Sequence, residues 1–179
     1  MVEAAAQVFH REGATATTNR IADRAGVSIG TLYQYFPNKE SLLQVLAERH
    51  LRDVDVVLDE VTSRLRREAL PFDETMCGLL EAAVSLHDDW PGLHDVLHRL
   101  GPRTVRDLEV LRAIEGRLAE DISFHLARCG RGGSSAPLAA QTIVATVDAL
   151  IHRVMTAQGF DLQMLMASVT ALAPPTGQR

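Results

Sequence analysis

The sequence predicts an all-α fold of about nine helices: a three-helix headpiece joined by a long helix to a larger helical bundle. Three observations carry this expectation. Aromatic residues make up only 4% of the chain and no segment alternates apolar and polar residues for long, so strand signals are nearly absent. Apolar residues recur instead at spacings of three and four along most of the chain. Proline, glycine and capping residues punctuate those periodic stretches.

The first helix is read over residues 2–12 and ends at Gly13. Thr17 or Thr18 caps a second helix that runs to Ala25, and Gly26 closes it. Ser28 caps a third through Tyr35, and Pro37 blocks its continuation. Asn38 caps a long fourth helix carrying Leu51, Val54, Leu58, Val61 and Leu65, which ends near Pro71. Asp73 caps a fifth bearing Met76, Leu79, Leu80, Ala83 and Val84, stopped by Pro91. A short helix over 92–100 ends at Gly101. Pro102 opens a long one through Leu108, Leu111, Leu118, Ile122 and Leu126, closed by Gly130. The Gly/Ser stretch 130–135 reads as a flexible loop. Pro137 opens a helix to about Ala157, and Asp161 caps a last one to about Leu172, with 173–179 expected to fray.

Composition narrows the function classes. The 179 residues suffice for one sizeable core or for a small headpiece on a larger body. The net charge is −5, yet residues 1–50 hold five basic and five acidic side chains, so the surplus lies in the body. A neutral head with several arginines can dock on phosphates while an acidic body is repelled by them. Cys77 and Cys129 are too few and too far apart for a disulfide framework or a zinc site. No uninterrupted apolar run approaches the roughly 18 residues of a membrane span, and the basic flank of a signal peptide is missing. A cytoplasmic protein with no membrane partner and no cofactor is expected.

Residues 17–36, TTNRIADRAGVSIGTLYQYF, carry the chemistry. Two helices cross closely only where the first offers a small residue, which Ala22 does. Four residues on, the tight turn needs positive φ, which Gly26 tolerates best. Six further, Leu32 pins the second helix, with Ile21 and Val27 filling the wedge. This is a helix-turn-helix spacing, in which the second helix enters a DNA groove. Ile21, Leu32 and Phe36 are read as core, and Arg11, Arg24 and Arg49 as solvated helix faces.

The run GVSIGTLYQYFPNKESLL, preceded by TTNRIADRA, resembles the DNA-binding domain of TetR-type (tetracycline-repressor-like) regulators. The resemblance implies a domain boundary, with 1–45 binding DNA and 46–179 holding the ligand and the dimer contact. It implies a ligand-released repressor that binds a palindromic operator in double-stranded DNA as a homodimer. Carried over by position, Thr17 or Thr18 meets phosphate, and Arg20 adds a phosphate or base contact. Ser28, Ile29, Gly30 and Thr31 approach the bases. Tyr33 and Tyr35 resemble the family's phosphate-contacting aromatics, Gln34 faces adenine, and Lys39 matches its phosphate-binding lysine. Ile29 stands where many relatives carry a basic residue.

The body is read for an effector and for assembly. His87 lies in register with the apolar face that includes Val84, and His125 with the face that includes Leu118 and Ile122. With Trp90, Phe124 and Met155 they are expected to edge a cavity for a small apolar or aromatic effector. The helix from Pro137 is apolar on too broad an arc for one-sided packing, so Val147, Leu150, Ile151 and Val154 are expected at the dimer interface. Three rival readings stand beside this one. Gly26–Gly30 satisfies G-x-S-x-G, but a nucleophile elbow needs a strand before its serine, so no enzyme is expected. A helical adaptor binding only protein differs by lacking salt-sensitive DNA binding. His94 and His98 have ligand-like spacing, but no cysteine joins them and no metal is expected.

Overall fold

The computed structural model describes residues 1–88, 90–100, 104–155 and 158–175. Among them are nine α-helices, and the only β pairing is an isolated bridge between Arg131 and Pro175. The helices are α1 (Val2–Glu12), α2 (Thr18–Ala25), α3 (Ile29–Tyr35), α4 (Lys39–Glu68), α5 (Phe72–Asp88), α6 (Pro91–Leu100), α7 (Val105–Arg128), α8 (Ala136–Ala149) and α9 (Leu162–Leu172).

The caps explain most boundaries. Thr17 Oγ1 accepts from the Arg20 amide, Ser28 Oγ from the Thr31 amide and Asp161 Oδ1 from the Met164 amide. Asn38 Oδ1 takes the Ser41 amide at 2.8 Å, and Ser41 Oγ returns to the Asn38 carbonyl. Two expected starts move. α5 begins at Phe72, where the Thr75 amide reaches the Pro71 carbonyl, so Asp73 sits in the first turn and complements the helix dipole instead of capping. α7 begins at Val105 because Thr104 and Asp107 form a reciprocal capping box. Gly101, Pro102 and Ala157, read as helix ends, lie outside the described residues. The 130–135 loop includes a 3₁₀ turn over Gly133–Ser135, and α8 continues as a π-helix over Leu150–Met155.

The chain packs as two compact units. Unit 1 is Met1–Asp53 with His87–Leu108, and unit 2 is Val54–Leu86 with Glu109–Arg179. Residues 87–108, which the sequence reading assigns to the body, therefore pack with the head. The physical reason is α6, whose Leu93, Val96 and Leu97 join the core of Phe9, Ile21, Leu32 and Leu42. The core of unit 2 is built around Leu65, Met76, Leu79, Ile122, Leu126, Ile143, Ile151 and Leu165.

Ala136–Met155 is long and apolar enough to cross a membrane by length and composition. The sequence reading missed it because Gln141, Thr142, Asp148 and His152 interrupt the apolar run. Its Ala136, Ala140, Ile143, Ile151 and Met155 are buried in the core of unit 2.

Candidate nucleic-acid interface

The geometry of α2 and α3 follows from one backbone turn. Gly26 sits at φ 67°, ψ 30°, the left-handed conformation that side chains disfavour. Its amide reaches the Asp23 carbonyl at 3.1 Å, and the Val27 amide reaches the Ala22 carbonyl at 3.1 Å. These two bonds form a Schellman motif, which satisfies the last carbonyls of α2 and redirects the chain into α3. Ala22 and Ile21 are buried at this crossing, and Leu32 is fully buried from the opposite side. Those three behave as the spacing predicts, while Phe36 is half-buried.

What the packing leaves outside is one face of α3 with the start of α2. Thr17, Arg20, Ser28, Ile29, Gly30, Tyr33, Gln34 and Tyr35 are exposed, and Thr18, Thr31 and Lys39 are half-buried. Tyr33 is 46% and Tyr35 66% exposed, so both rings face outward. The surface is also ordered internally. The Thr18 and Tyr33 hydroxyls lie 3.0 Å apart, tying α2 to α3, and the Ser28 and Thr31 hydroxyls lie 2.8 Å apart. Lys39 Nζ donates to the Ala14 carbonyl at 2.7 Å and sits 5.4 Å from the centre of the Phe9 ring. An ammonium has three donors, so two remain for a phosphate. Arg20 is less available, because its Nε pairs with Glu12 at 2.7 Å. The carbonyl of Ala14 and the carboxylate of Glu12 are determinants that the sequence reading missed.

Against known families, residues 1–46 match the model described as bacterial regulatory proteins, tetR family. The head of this chain is thus similar to the heads of tetR-family regulators. The chain is 37% identical over 76 residues to the HTH-type transcriptional repressor KstR2 of Rhodococcus jostii, covering 39% of this chain and 37% of that one. The chain spans between 37% and 55% of the lengths of the curated relatives it matches. Among solved structures it resembles the fatty acid degradation regulator FadR of Bacillus halodurans, with TM-score 0.64, 26% identity and coverage of 99% and 97% of the two chains. FadR of Bacillus subtilis, solved in complex with stearoyl-CoA, gives TM-score 0.61, 25% identity and coverage of 96% and 94%.

The residues expected to line an effector cavity divide between the units. Val84, Leu118, Ile122, Phe124, His125 and Met155 belong to unit 2, but His87 and Trp90 belong to unit 1. His87 stacks near His50 and His94, and Trp90 meets the His10 ring edge-on at 5.2 Å. Phe124 is 40% exposed, with the Arg66 guanidinium 4.4 Å above its ring. Ile122 and Met155 are buried in the core.

His125 is the distinctive member. It is 1% exposed, and burial, then the nearby Arg128 and Arg66 charges, push its pKa below the ordinary histidine value, against the opposing pull of Asp121. Arg128 Nη2 donates to Nδ1 at 3.2 Å, which places the ring proton on Nε2. That Nε2–H is buried with no hydrogen-bond partner among the described residues.

The expected dimer residues also separate. Ile151 is 2% exposed and sits inside the core of its own unit, with Val147 and Leu150 partly buried against that core. Ile151, expected at the interface, thus packs into the core of its own unit, on the helix face it shares with Ile143 and Val147. Val154 remains outward, 39% exposed. It borders an open groove of about 600 Å³ formed with Gln141, Thr142, Ala145, Thr146, Ala149, Leu150 and Arg153.

Proposed function

We propose that this chain is a transcription regulator that represses by binding a palindromic operator as a homodimer and leaves it when an apolar effector binds. The observation that carries the reading is the exposed, internally braced face of α3 beyond the Gly26 turn. A helix N-terminus with hydroxyls, a glycine and outward aromatic rings suits the major groove, where side chains read base edges. Thr31 and Gln34 would read sequence, while Tyr33, Tyr35, Lys39 and the α2 N-terminus at Thr17 would hold phosphates.

The effector is a small, largely apolar molecule. Two features support this reading: the long-side-chain core of unit 2, and the likeness to a FadR that binds stearoyl-CoA. The unpartnered His125 Nε2–H would meet an acceptor oxygen on such a molecule. The effector must prefer the DNA-incompetent state, because equal affinity for both states shifts nothing. The dimer would form on the outward side of α8, where Ala145, Thr146 and Ala149 allow close helix approach beside the exposed Leu138 and Val154. The protein would act in the cytoplasm, without catalysis.

Genomic fragments retained at physiological salt supply the operator for the test. Lys39→Ala should weaken binding to all sequences about equally and flatten the slope of log K against log salt by roughly one unit. Thr31 or Gln34 substitutions should instead alter preference at one base pair, by roughly 1–3 kcal/mol. An unchanged affinity and slope in Lys39→Ala would remove the docking mode.

A further inference from the structure

Within unit 1, three imidazoles from separate segments converge: His50 on α4, His87 at the end of α5 and His94 on α6. One ligand nitrogen from each lies within 4.8 Å of the other two. Ring centroids are 4.4 Å apart for His50 and His94, 4.8 Å for His87 and His94, and 6.0 Å for His50 and His87. His87 and His94 are only 6% and 7% exposed, whereas His50 is half-buried. Imidazoles are costly to bury, and three at one point are poor packing material compared with aliphatic side chains. They are good material for a borderline-soft divalent cation, which neutral imidazole suits better than carbonyl or carboxylate sets do.

The distances are compatible with that use. Zn–N bonds of about 2.0–2.1 Å in tetrahedral array put two ligand nitrogens about 3.4 Å apart, so the widest pair would close by no more than about 1.4 Å. The nearest acidic side chain on α6, Asp95, pairs with Arg99 at 2.6 Å and is engaged elsewhere. Three nitrogen ligands with a fourth position for water match the open form of such sites. The sequence pairs His94 with His98, one turn along a single helix. In the structure the imidazoles that gather at His94 come instead from α4 and α5.

We propose that His50, His87 and His94 bind one divalent transition-metal ion of the Zn²⁺ class, with water in the fourth position. The ion would tie α4 and the end of α5 to α6, which also packs on α1. Binding to the folded chain alone would stabilise it by mass action. The proposal stands whether or not the protein represses transcription, since its readouts involve no DNA.

The test uses the untagged full chain, stripped with a chelator and titrated with Co²⁺ and then Zn²⁺. We expect one equivalent per chain, the intense visible absorption of four-coordinate Co²⁺, its displacement by stoichiometric Zn²⁺, and a raised Tm. His50→Gln alters the half-buried ligand and should fold normally by circular dichroism. It should weaken metal binding by more than about tenfold, as loss of even an orienting partner costs that much. His94→Gln should do the same, while His98→Gln and His152→Gln should bind as the wild type does. Should His94→Gln fail to fold, His50→Gln alone decides. No stoichiometric uptake, or uptake that His50→Gln leaves intact, overturns the site.

Discussion

The two units solve the same packing problem with different residues. In unit 1 small side chains stand among the long ones of the core: Ala4, Ala5 and Ala6 of α1 are buried in succession, and Ala16 and Ala22 are buried as well. The contact with α6 is tighter still, for a Cβ built on Gly92 would run into the His10 carbonyl oxygen. Unit 2 includes buried alanines too, but its centre is filled by Leu65, Met76, Leu79, Leu80, Ile122, Leu126, Ile143 and Ile151. The first arrangement fixes backbones at short range, as the proposed docking on a duplex requires. The second fills volume, and volume can be filled in many ways, which suits the proposed effector region.

If the comparison holds, unit 2 should suffer most from lost volume. Ile151 is 2% exposed among long aliphatic neighbours, so Ile151→Ala should cost about 2–5 kcal/mol in a denaturant titration. Val154, three residues on and 39% exposed, supplies the control: Val154→Ala should change stability by less than about 0.5 kcal/mol. Equal costs at the two positions would mean that Ile151 is not a core residue of unit 2.

Unit 1 should suffer most from added volume. Gly92→Ala adds one methyl group where three backbone atoms of His10 already stand. The expected loss is about 1–3 kcal/mol, the usual cost of overpacking, relieved only by separating α6 from α1. Gly116, whose added Cβ would meet nothing within 4 Å, is the matched control in α7. There alanine should be neutral or slightly stabilising, by up to about 1 kcal/mol. A neutral Gly92→Ala would break the contrast between the units.

The same difference decides what was legible in the sequence. The helix-turn-helix could be read because its constraints are local: Gly26 needs positive φ, Ser28 and Thr17 cap within three residues, and Leu32 follows at a fixed offset. Pro37 and Asn38 punctuate just as locally. The His50, His87 and His94 cluster could not be read, because its members are separated by 37 and 7 residues and meet only through tertiary packing of three helices. His94 and His98 gave a false local partner instead. The placement of Ile151 was missed for a related reason. A broad apolar arc says that the helix has two partners but not which edge meets which, and Ile151 lies on the Ile143 and Val147 side that packs inside its own unit. His87 and Trp90 were drawn into the effector cavity by register along α5, although α5 changes unit at its last turn.

The smallest effect expected is also the most specific to unit 2. His125 is buried beside Arg128 and Arg66, so its folded pKa lies below the ordinary value while the unfolded chain titrates near about 6.5. A depressed folded pKa means that the unfolded state takes up the proton first. The stabilisation is therefore complete above the unfolded pKa and is lost as pH falls from there through the folded value. Asp121 opposes the shift without reversing it. Denaturant midpoints of the full chain measured at pH 7.5 and again below 6 should differ, with the acid value lower. His125→Leu keeps an apolar side chain in the core but cannot titrate, and it leaves Arg128 to its remaining acceptors, the Ala69 and Leu70 carbonyls. Its absolute stability will change, but the gap between its two midpoints should shrink relative to the wild type. A gap of unchanged size would place the acid sensitivity on other groups and return His125 to the role of a neutral packing residue.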